Sequence, residues 1–201
     1  RLRRWNAATK RGWGAVMLYG VLPRGADLRP DAHHVEIIGD RHRPYIEGNH
    51  VFVSISDRTE EDRGPDGERT FTVSTHVPLE RLRSMDAGDR GPHIARIQDR
   101  MRSLIALRAP EVAGQALSWM PASPRTFERF TRRPEGRVGG IPRVAGLSHY
   151  RDILPGPVAP NLWLVGDTVF PGQSTLATAV GGAKIAARAL GRIGTPARVS
   201  A

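Results

Sequence analysis

Apolar runs and alternating apolar and polar positions in the first part of the chain predict β-strands. Segments of this kind, bounded by Gly, Pro or charged residues, predict four strands, at about Ala15–Leu22, His34–Ile38, His50–Ser56 and Arg69–His76. A charged loop, Asp57–Gly67, separates the third strand from the fourth. This spacing predicts neighbouring antiparallel strands in a mixed sheet.

A helical spacing of apolar residues follows the predicted strands. It predicts a helix from about Pro92 to Ala109, ending before Pro110. The apolar positions are Ile94, Ile97, Met101, Leu104 and Ile105, with Arg96, Arg100 and Arg102 among them. Such a stripe packs into a core or lies on a membrane surface as part of a basic amphipathic helix. Core packing is the simpler explanation of the pattern.

The middle of the chain carries weaker signals. We expect a short strand over Ala113–Met120. From Pro121 to Pro160 the many Pro and Gly residues predict a long ordered connection, and loops of that length are usually functional.

The segment Asn161–Ala186 has the order strand, Gly-Asp, Pro-Gly turn and small-residue helix. The apolar run Leu162–Val165 predicts a parallel strand covered on both faces, ending at Gly166-Asp167, where open α/β sheets bind ligands. Ser174 or Thr175 is expected to cap a helix that continues through Ala189. Its free N–H groups would face an electron-rich group, while the Asp167 carboxylate accepts hydrogen bonds from ligand hydroxyls.

These residues resemble a known family of flavoenzymes. The run Gly166-Asp167-Thr168-Val169-Phe170-Pro171-Gly172-Gln173 resembles the C-terminal end of FAD-dependent phytoene desaturases and carotenoid isomerases, within the amine-oxidase-like superfamily. Segments Gly48–Ser56, Ser123–Thr126, Arg133–Gly136 and Gly139–Pro142 resemble earlier parts of the same enzymes, so that the likeness covers roughly residues 13–190. After Pro-Gly, other desaturases often have a Gly-rich, Pro-containing stretch; here Gln173–Thr178 stands instead, which favours the isomerase-like branch.

The resemblance implies an α/β protein: the C-terminal portion of an FAD/NAD(P)-binding Rossmann-like fold with a mixed, largely antiparallel substrate-domain sheet. Residues 1–155 would form the substrate-binding region and residues 156–192 the C-terminal element of the FAD-binding domain. The cofactor would be FAD, held by Gly166, Asp167, Thr168, Pro171, Gly172, Gln173, Ser174, Thr175 and Leu176. Met17, Val138, Ile141 and Phe170 are hypothesised to line a lipophilic substrate chamber, with a plain core role as the alternative. No catalytic residue is assigned.

A dinucleotide-binding loop is not found in this sequence. A whole FAD fold opens with a strand, G-x-G-x-x-G and a helix, whereas Gly12-Trp13-Gly14 has Met17 in place of the third glycine. We therefore expect the chain to be the C-terminal portion of a longer enzyme and to be inactive alone.

Composition narrows the alternatives. The chain has 201 residues, no cysteine and a formal net charge of +10, which excludes disulfides and thiol catalysis. No apolar stretch is long enough for a transmembrane helix. The positive charge would attract anionic surfaces, but zinc-finger spacing and aromatic RNA-binding signatures are lacking, so we expect no specific nucleic acid partner. We expect a cytoplasmic protein, with peripheral membrane contact left open.

Metal and hydrolase chemistry are not expected. His33 and His34 are adjacent, so in a strand their rings point to opposite faces and do not share a metal. No G-x-S-x-G motif surrounds Ser174. The sequence thus favours an FAD-dependent oxidoreductase acting on a lipophilic polyene, as a carotenoid desaturase or cis–trans isomerase. The alternatives are a non-catalytic basic binding module that retains a flavoprotein remnant, or an amine-oxidase-like flavoenzyme with another substrate.

Overall fold

The computed structural model describes residues 2–28, 33–142, 150 and 153–193. The chain divides into two compact units: Trp13–Val138 forms one, and residues 1–12 with 139–201 form the other. The functional division expected near residue 155 stays a prediction.

A six-stranded sheet organises the 13–138 unit. Its strands are β1 (Trp13–Leu22), β2 (His34–Ile38), β3 (His50–Ile55), β4 (Arg69–Pro78), β5 (Ser118–Ala122) and β6 (Arg137–Val138). The strand order is β2-β3-β4-β1-β5, with β6 also paired to β1, and every pairing is antiparallel. The first four predicted strands are confirmed, as is the largely antiparallel sheet.

Within the 13–138 unit, the helices that join the strands are α2 (Leu79–Arg83), α3 (Ala87–Arg108), α4 (Pro110–Gln115) and α5 (Pro124–Thr131). Helices α1 (Leu2–Thr9) and α6 (Thr175–Ile193) belong to the second unit. A small antiparallel hairpin, β7 (Pro157–Ala159) and β8 (Leu162–Trp163), belongs to the second unit. Within the described ranges, no helix has the length and apolar character needed to cross a bilayer.

The core lies between one face of the sheet and α3. Ile97, Met101 and Ile105 of α3 are buried in the same cluster as Val16 and Leu18 of β1. Burying side chains of this size contributes about 1.5–3 kcal/mol each. The apolar stripe of the predicted helix is therefore a core stripe and is not presented to a membrane.

Two element predictions were wrong. Residues 113–120 do not form one strand: α4 ends at Gln115, and β5 begins at Ser118. Pro110 begins α4 because the first helical position needs no N–H donor. The expected connection over 121–160 contains α5, whose capping box joins Ser123 and Thr126.

Candidate functional site

The Gly166–Gly172 turn has a defined backbone. The Val169 N–H donates to the Gly166 carbonyl at 3.1 Å, and the Phe170 N–H donates to the Ile153 carbonyl at 2.8 Å. Gly166 has a φ of 115°, and apart from its chain neighbours no atom of the described residues lies within 4 Å of the position a Cβ would take. Gly172 also has a positive φ, of 91°, and the Phe170–Pro171 peptide is cis. The turn therefore needs glycine at both positions and leaves open space beside Gly166.

A pair of glycines packs against the back of this turn. A Cβ on Gly140 would lie 2.5 Å from Thr168 Cα and 2.6 Å from Thr168 N. A Cβ on Gly139, whose φ is 69°, would lie 3.1 Å from the Gln173 Nε2 atom. Only residues without a side chain allow this approach, so Gly139-Gly140 fixes the backbone that carries Asp167 and Thr168.

Helix α6 begins directly after the turn. The Ser174 hydroxyl accepts a hydrogen bond from the Ala177 N–H at 3.0 Å, which makes Ser174 the N-cap. The predicted cap is confirmed at Ser174 rather than Thr175, and the helix continues past Ala189 to Ile193. Within the described residues the N–H groups of Thr175 and Leu176 have no acceptor, so the positive end of the helix dipole is available to a ligand.

Apolar side chains around the turn are exposed. Leu176 is 75% exposed, Val165 55% and Phe170 41%. These three exposed apolar side chains lie within one short segment and are candidates for contact with a ligand.

The expected buried parallel strand at Leu162–Val165 was wrong. Only Leu162–Trp163 is a strand, and it pairs antiparallel with Pro157–Ala159. Leu162 and Val165 are exposed, so this run is not a strand covered on both faces.

The sheet face opposite α3 holds one of the predicted substrate residues. Met17 lies opposite Ser74 of β4 and Ala122 of β5, and alternation puts Tyr19 and Val21 on the same face. Tyr19 pairs with Met120, and Phe52 of β3 pairs with Ser74. Sequence analysis missed Tyr19, Phe52 and Met120, although the alternation along β1 was the signal that would have grouped Tyr19 with Met17.

The four predicted chamber residues fall in different units. Met17 and Val138 lie in the 13–138 unit, where Val138 pairs with Trp13 at the start of β1. Ile141 and Phe170 lie in the other unit; Ile141 is buried, and the Phe170 ring contacts Tyr150 edge-on at 6.2 Å. The structure brings the first two onto one sheet but does not establish a chamber shared by all four.

Two histidines, His76 and His50, lie at the edge of this sheet face. The His76 ring contacts Trp13 edge-on at 6.2 Å. Partial burial lowers the pKa of His76 below its usual value, and the nearby His50 lowers it further. His50 Nε2 lies 3.6 Å from a Glu36 carboxylate oxygen. The neutral imidazole of His76 is therefore the favoured form near neutral pH.

The two adjacent histidines have separate partners. His33 Nε2 lies 3.0 Å from Asp57 Oδ2, whereas the His34 ring stacks on Phe52 at 5.3 Å. Thr59 donates hydrogen bonds to Asp57, and these hold the pKa of that carboxyl below its usual value. His149 lies outside the described residues.

Comparison with known proteins shows which enzymes this chain is similar to. No protein-family model matches the chain. Prolycopene isomerase of Arabidopsis thaliana is 28% identical over 176 residues, and that of Daucus carota is 23% identical over 170 residues. Each alignment covers 82% of this chain. The chain resembles prolycopene isomerases. A prolycopene isomerase of an Oncidium hybrid cultivar is 23% identical, again over 82% of the chain.

This similarity supports the relationship that the Gly166–Gln173 motif predicted, to the superfamily of carotenoid isomerases and FAD-dependent desaturases. The chain spans 27–28% of the length of these curated relatives. The activity of the relatives is therefore considered for this chain only as a proposal.

Proposed function

We propose that the chain is the C-terminal part of an FAD-dependent oxidoreductase that acts on a lipophilic polyene, of the carotenoid cis–trans isomerase or desaturase type. One observation carries the proposal: the Gly166–Gly172 turn, backed by Gly139-Gly140, leads into the Ser174-capped helix α6. Similarity to prolycopene isomerases over 82% of the chain supports the same family of reactions.

The turn and helix have the groups that a flavin needs. Gly166 leaves open space for close approach, and the Thr175 and Leu176 N–H groups can donate to an electron-rich ring edge. The Asp167 carboxylate is half-buried beside Gly166 and can accept hydrogen bonds from ribityl or ribose hydroxyls. The remaining predicted contacts, Thr168, Pro171 and Gln173, belong to the same turn. Bound FAD supplies electron or hydride transfer, while the protein binds, orients and excludes water.

A polyene has no acidic proton, so the proposed reaction needs no charged general base. The apolar strip formed by Met17, Tyr19 and Met120 is suited to packing against a flat conjugated chain. Val138 in the 13–138 unit and Ile141 and Phe170 in the second unit stay predicted substrate contacts. An apolar site excludes water, which strengthens electrostatic interactions with the flavin.

A second candidate is an amine-oxidase-like flavoenzyme with a more polar substrate. The observation that favours it is the row of hydroxyls at Ser54, Thr72 and Ser74, at face positions of β3 and β4. A non-catalytic basic module, favoured by the net charge of +10, would have no need of the open space at Gly166.

Substitution of Asp167 tests the flavin assignment. In the protein that retains FAD, Asp167→Ala should weaken FAD binding by about tenfold, because it removes hydrogen bonds to a charged acceptor. Asp62→Ala is the matched control, since it removes an exposed carboxylate in the 13–138 unit. FAD is measured by visible absorbance after gel filtration. Equal retention by Asp167→Ala and the control would refute the role of Asp167.

A further inference from the structure

We infer that a cleft between α3 and the loop that joins β2 to β3 binds a phosphate group. The cleft has a volume of about 720 Å³ and lies wholly in the 13–138 unit. It is distinct from the Gly166–Leu176 segment, so the inference does not rest on the proposed flavin function. Its cationic lining is Arg43, Arg81, Arg96 and Arg100.

The loop side of the cleft is held in place by Asn49. The Asn49 amide donates to the carbonyls of Asp40, Arg43 and Pro44 at 2.9–3.2 Å, and its oxygen accepts from the Asp40 N–H at 2.8 Å. Four hydrogen bonds from one side chain fix the loop that carries Arg43. The cleft is therefore preorganised, which reduces the entropy lost on binding.

The loop is also fixed against the helix. Gly48 has a φ of 82°, and a Cβ there would lie 3.1 Å from the Ile97 carbonyl and 3.0 Å from Arg100 Cβ. The Gly48 N–H donates to the Thr75 hydroxyl at 3.0 Å in a buried site. This close approach sets the position of Arg43 relative to Arg96 and Arg100, which are one helical turn apart.

The acids that line the cleft are already paired. The buried Glu47 binds Arg81 with an Nη1–Oε2 distance of 2.7 Å, and Asp99 lies 3.3 Å from Arg102 Nη1. Among the residues that the structure describes, the side chains of Arg43, Arg96 and Arg100 have no ion pair or hydrogen bond. Three uncompensated guanidinium groups thus share one concave surface.

A phosphate group matches this charge and geometry. Arginine forks bind phosphate oxygens through two N–H donors, and three such groups suit an anion with more than one charge. Pro44, Ile46 and Leu107 also line the cleft, and Leu107 is 71% exposed. These apolar residues would contact the organic part of a phosphate ester or of a phospholipid.

Titration of the full chain tests the site. The probes are inorganic phosphate, followed by calorimetry, and phosphatidylglycerol vesicles compared with phosphatidylcholine vesicles, followed by co-sedimentation. We expect Arg96→Gln/Arg100→Gln to weaken binding by about tenfold or more, since each arginine contributes charge-assisted hydrogen bonds. The matched control is Arg125→Gln/Arg129→Gln, which removes an exposed arginine pair at the same spacing on α5.

The two arms identify the source of the phosphate group. Cleft-dependent binding of inorganic phosphate supports a soluble phosphate ligand, and cleft-dependent binding of phosphatidylglycerol vesicles alone supports a lipid headgroup. Absence of binding to both probes overturns the inference. Equal weakening by the α5 control also overturns it, because binding would then follow net charge rather than the cleft. Thermal unfolding confirms that both double variants remain folded.

Discussion

Gly140 and Gly166 are required for opposite reasons. Gly140 is needed because its Cα approaches Thr168 so closely that a Cβ would overlap the backbone. At Gly166 the surrounding space is open, and the requirement comes from a φ of 115°. A side chain at Gly140 would displace the Asp167–Thr168 peptide, whereas one at Gly166 would also occupy the space that the flavin proposal needs.

His76 provides a pH-dependent prediction at the scale of residues. Its pKa is lowered, first by burial against Trp13 and then by His50, so the folded chain binds this proton less tightly than the unfolded chain does. The free energy of unfolding should therefore be highest above about pH 6.5, where His76 is neutral in both states. It should fall as the pH drops from there toward the folded-state pKa. His76→Gln should remove this part of the decrease.

Two measurements check the behaviour of His76. Urea unfolding on either side of pH 6.5 compares the parent with His76→Gln, and NMR titration gives the His76 midpoint directly. His50→Gln should move that midpoint upward because it removes a neighbouring positive charge, although Glu36 beside His50 offsets part of that charge. A His76 midpoint at or above 6.5 in the parent would contradict the assignment.

The sequence predicted residue roles where the local pattern determines them. Ser174 was predicted as a cap because hydroxyl residues satisfy the first N–H groups of a helix, and its Oγ does accept from Ala177. The contact between Gly140 and Thr168 was not predicted because it joins residues far apart in the chain. The cleft arginines were read only as interspersed charge, since their convergence with Arg43 depends on how the 39–49 loop packs.

At the scale of elements, a pair of glycine substitutions tests the packing of the Gly166–Gly172 turn. Gly140→Ala should disrupt the turn, at a cost of about 1–3 kcal/mol for overpacking. Gly91→Ala on α3 is the control, because apart from its chain neighbours and the backbone of its own helix no described atom lies within 4 Å of the added Cβ, and the position is far from the turn in the chain.

Hydrogen exchange of the Val169 and Phe170 amides reports on the turn, because they donate to Gly166 and Ile153. Exchange should accelerate in Gly140→Ala and stay unchanged in Gly91→Ala. Unchanged exchange in both variants would show that the Gly140 contact does not hold the turn.

Elements were predictable where periodicity reflects burial on one side. Strands β3 and β4 alternate because one face packs in the core with α3, and α3 repeats its apolar positions because one stripe packs on the sheet. The short run Leu162–Val165 has no such period, and its apolar character alone does not distinguish a covered strand from an exposed segment. Helix α5 was missed because the many Pro and Gly residues of 121–160 predicted a long connection, whereas the capping box of Ser123 and Thr126 begins a helix there.

At the scale of the whole molecule, the core belongs to one unit. Every residue of the main buried cluster lies between Val16 and Val112, within the 13–138 unit. We expect a fragment of residues 13–138 to fold alone, with dispersed amide resonances and a single cooperative thermal transition. A fragment lacking dispersion would contradict the assignment of this unit as an independent domain.

The central claim is that the Gly166–Leu176 segment completes a flavin site whose dinucleotide-binding half lies elsewhere. The most direct measurement compares FAD retention, by visible absorbance after gel filtration, between this chain alone and a longer protein in which a dinucleotide-binding half is joined to its N-terminus. We predict that the longer protein retains FAD and that the chain alone does not. Failure of the longer protein to retain FAD would contradict the proposed function and leave the basic binding module as the better account.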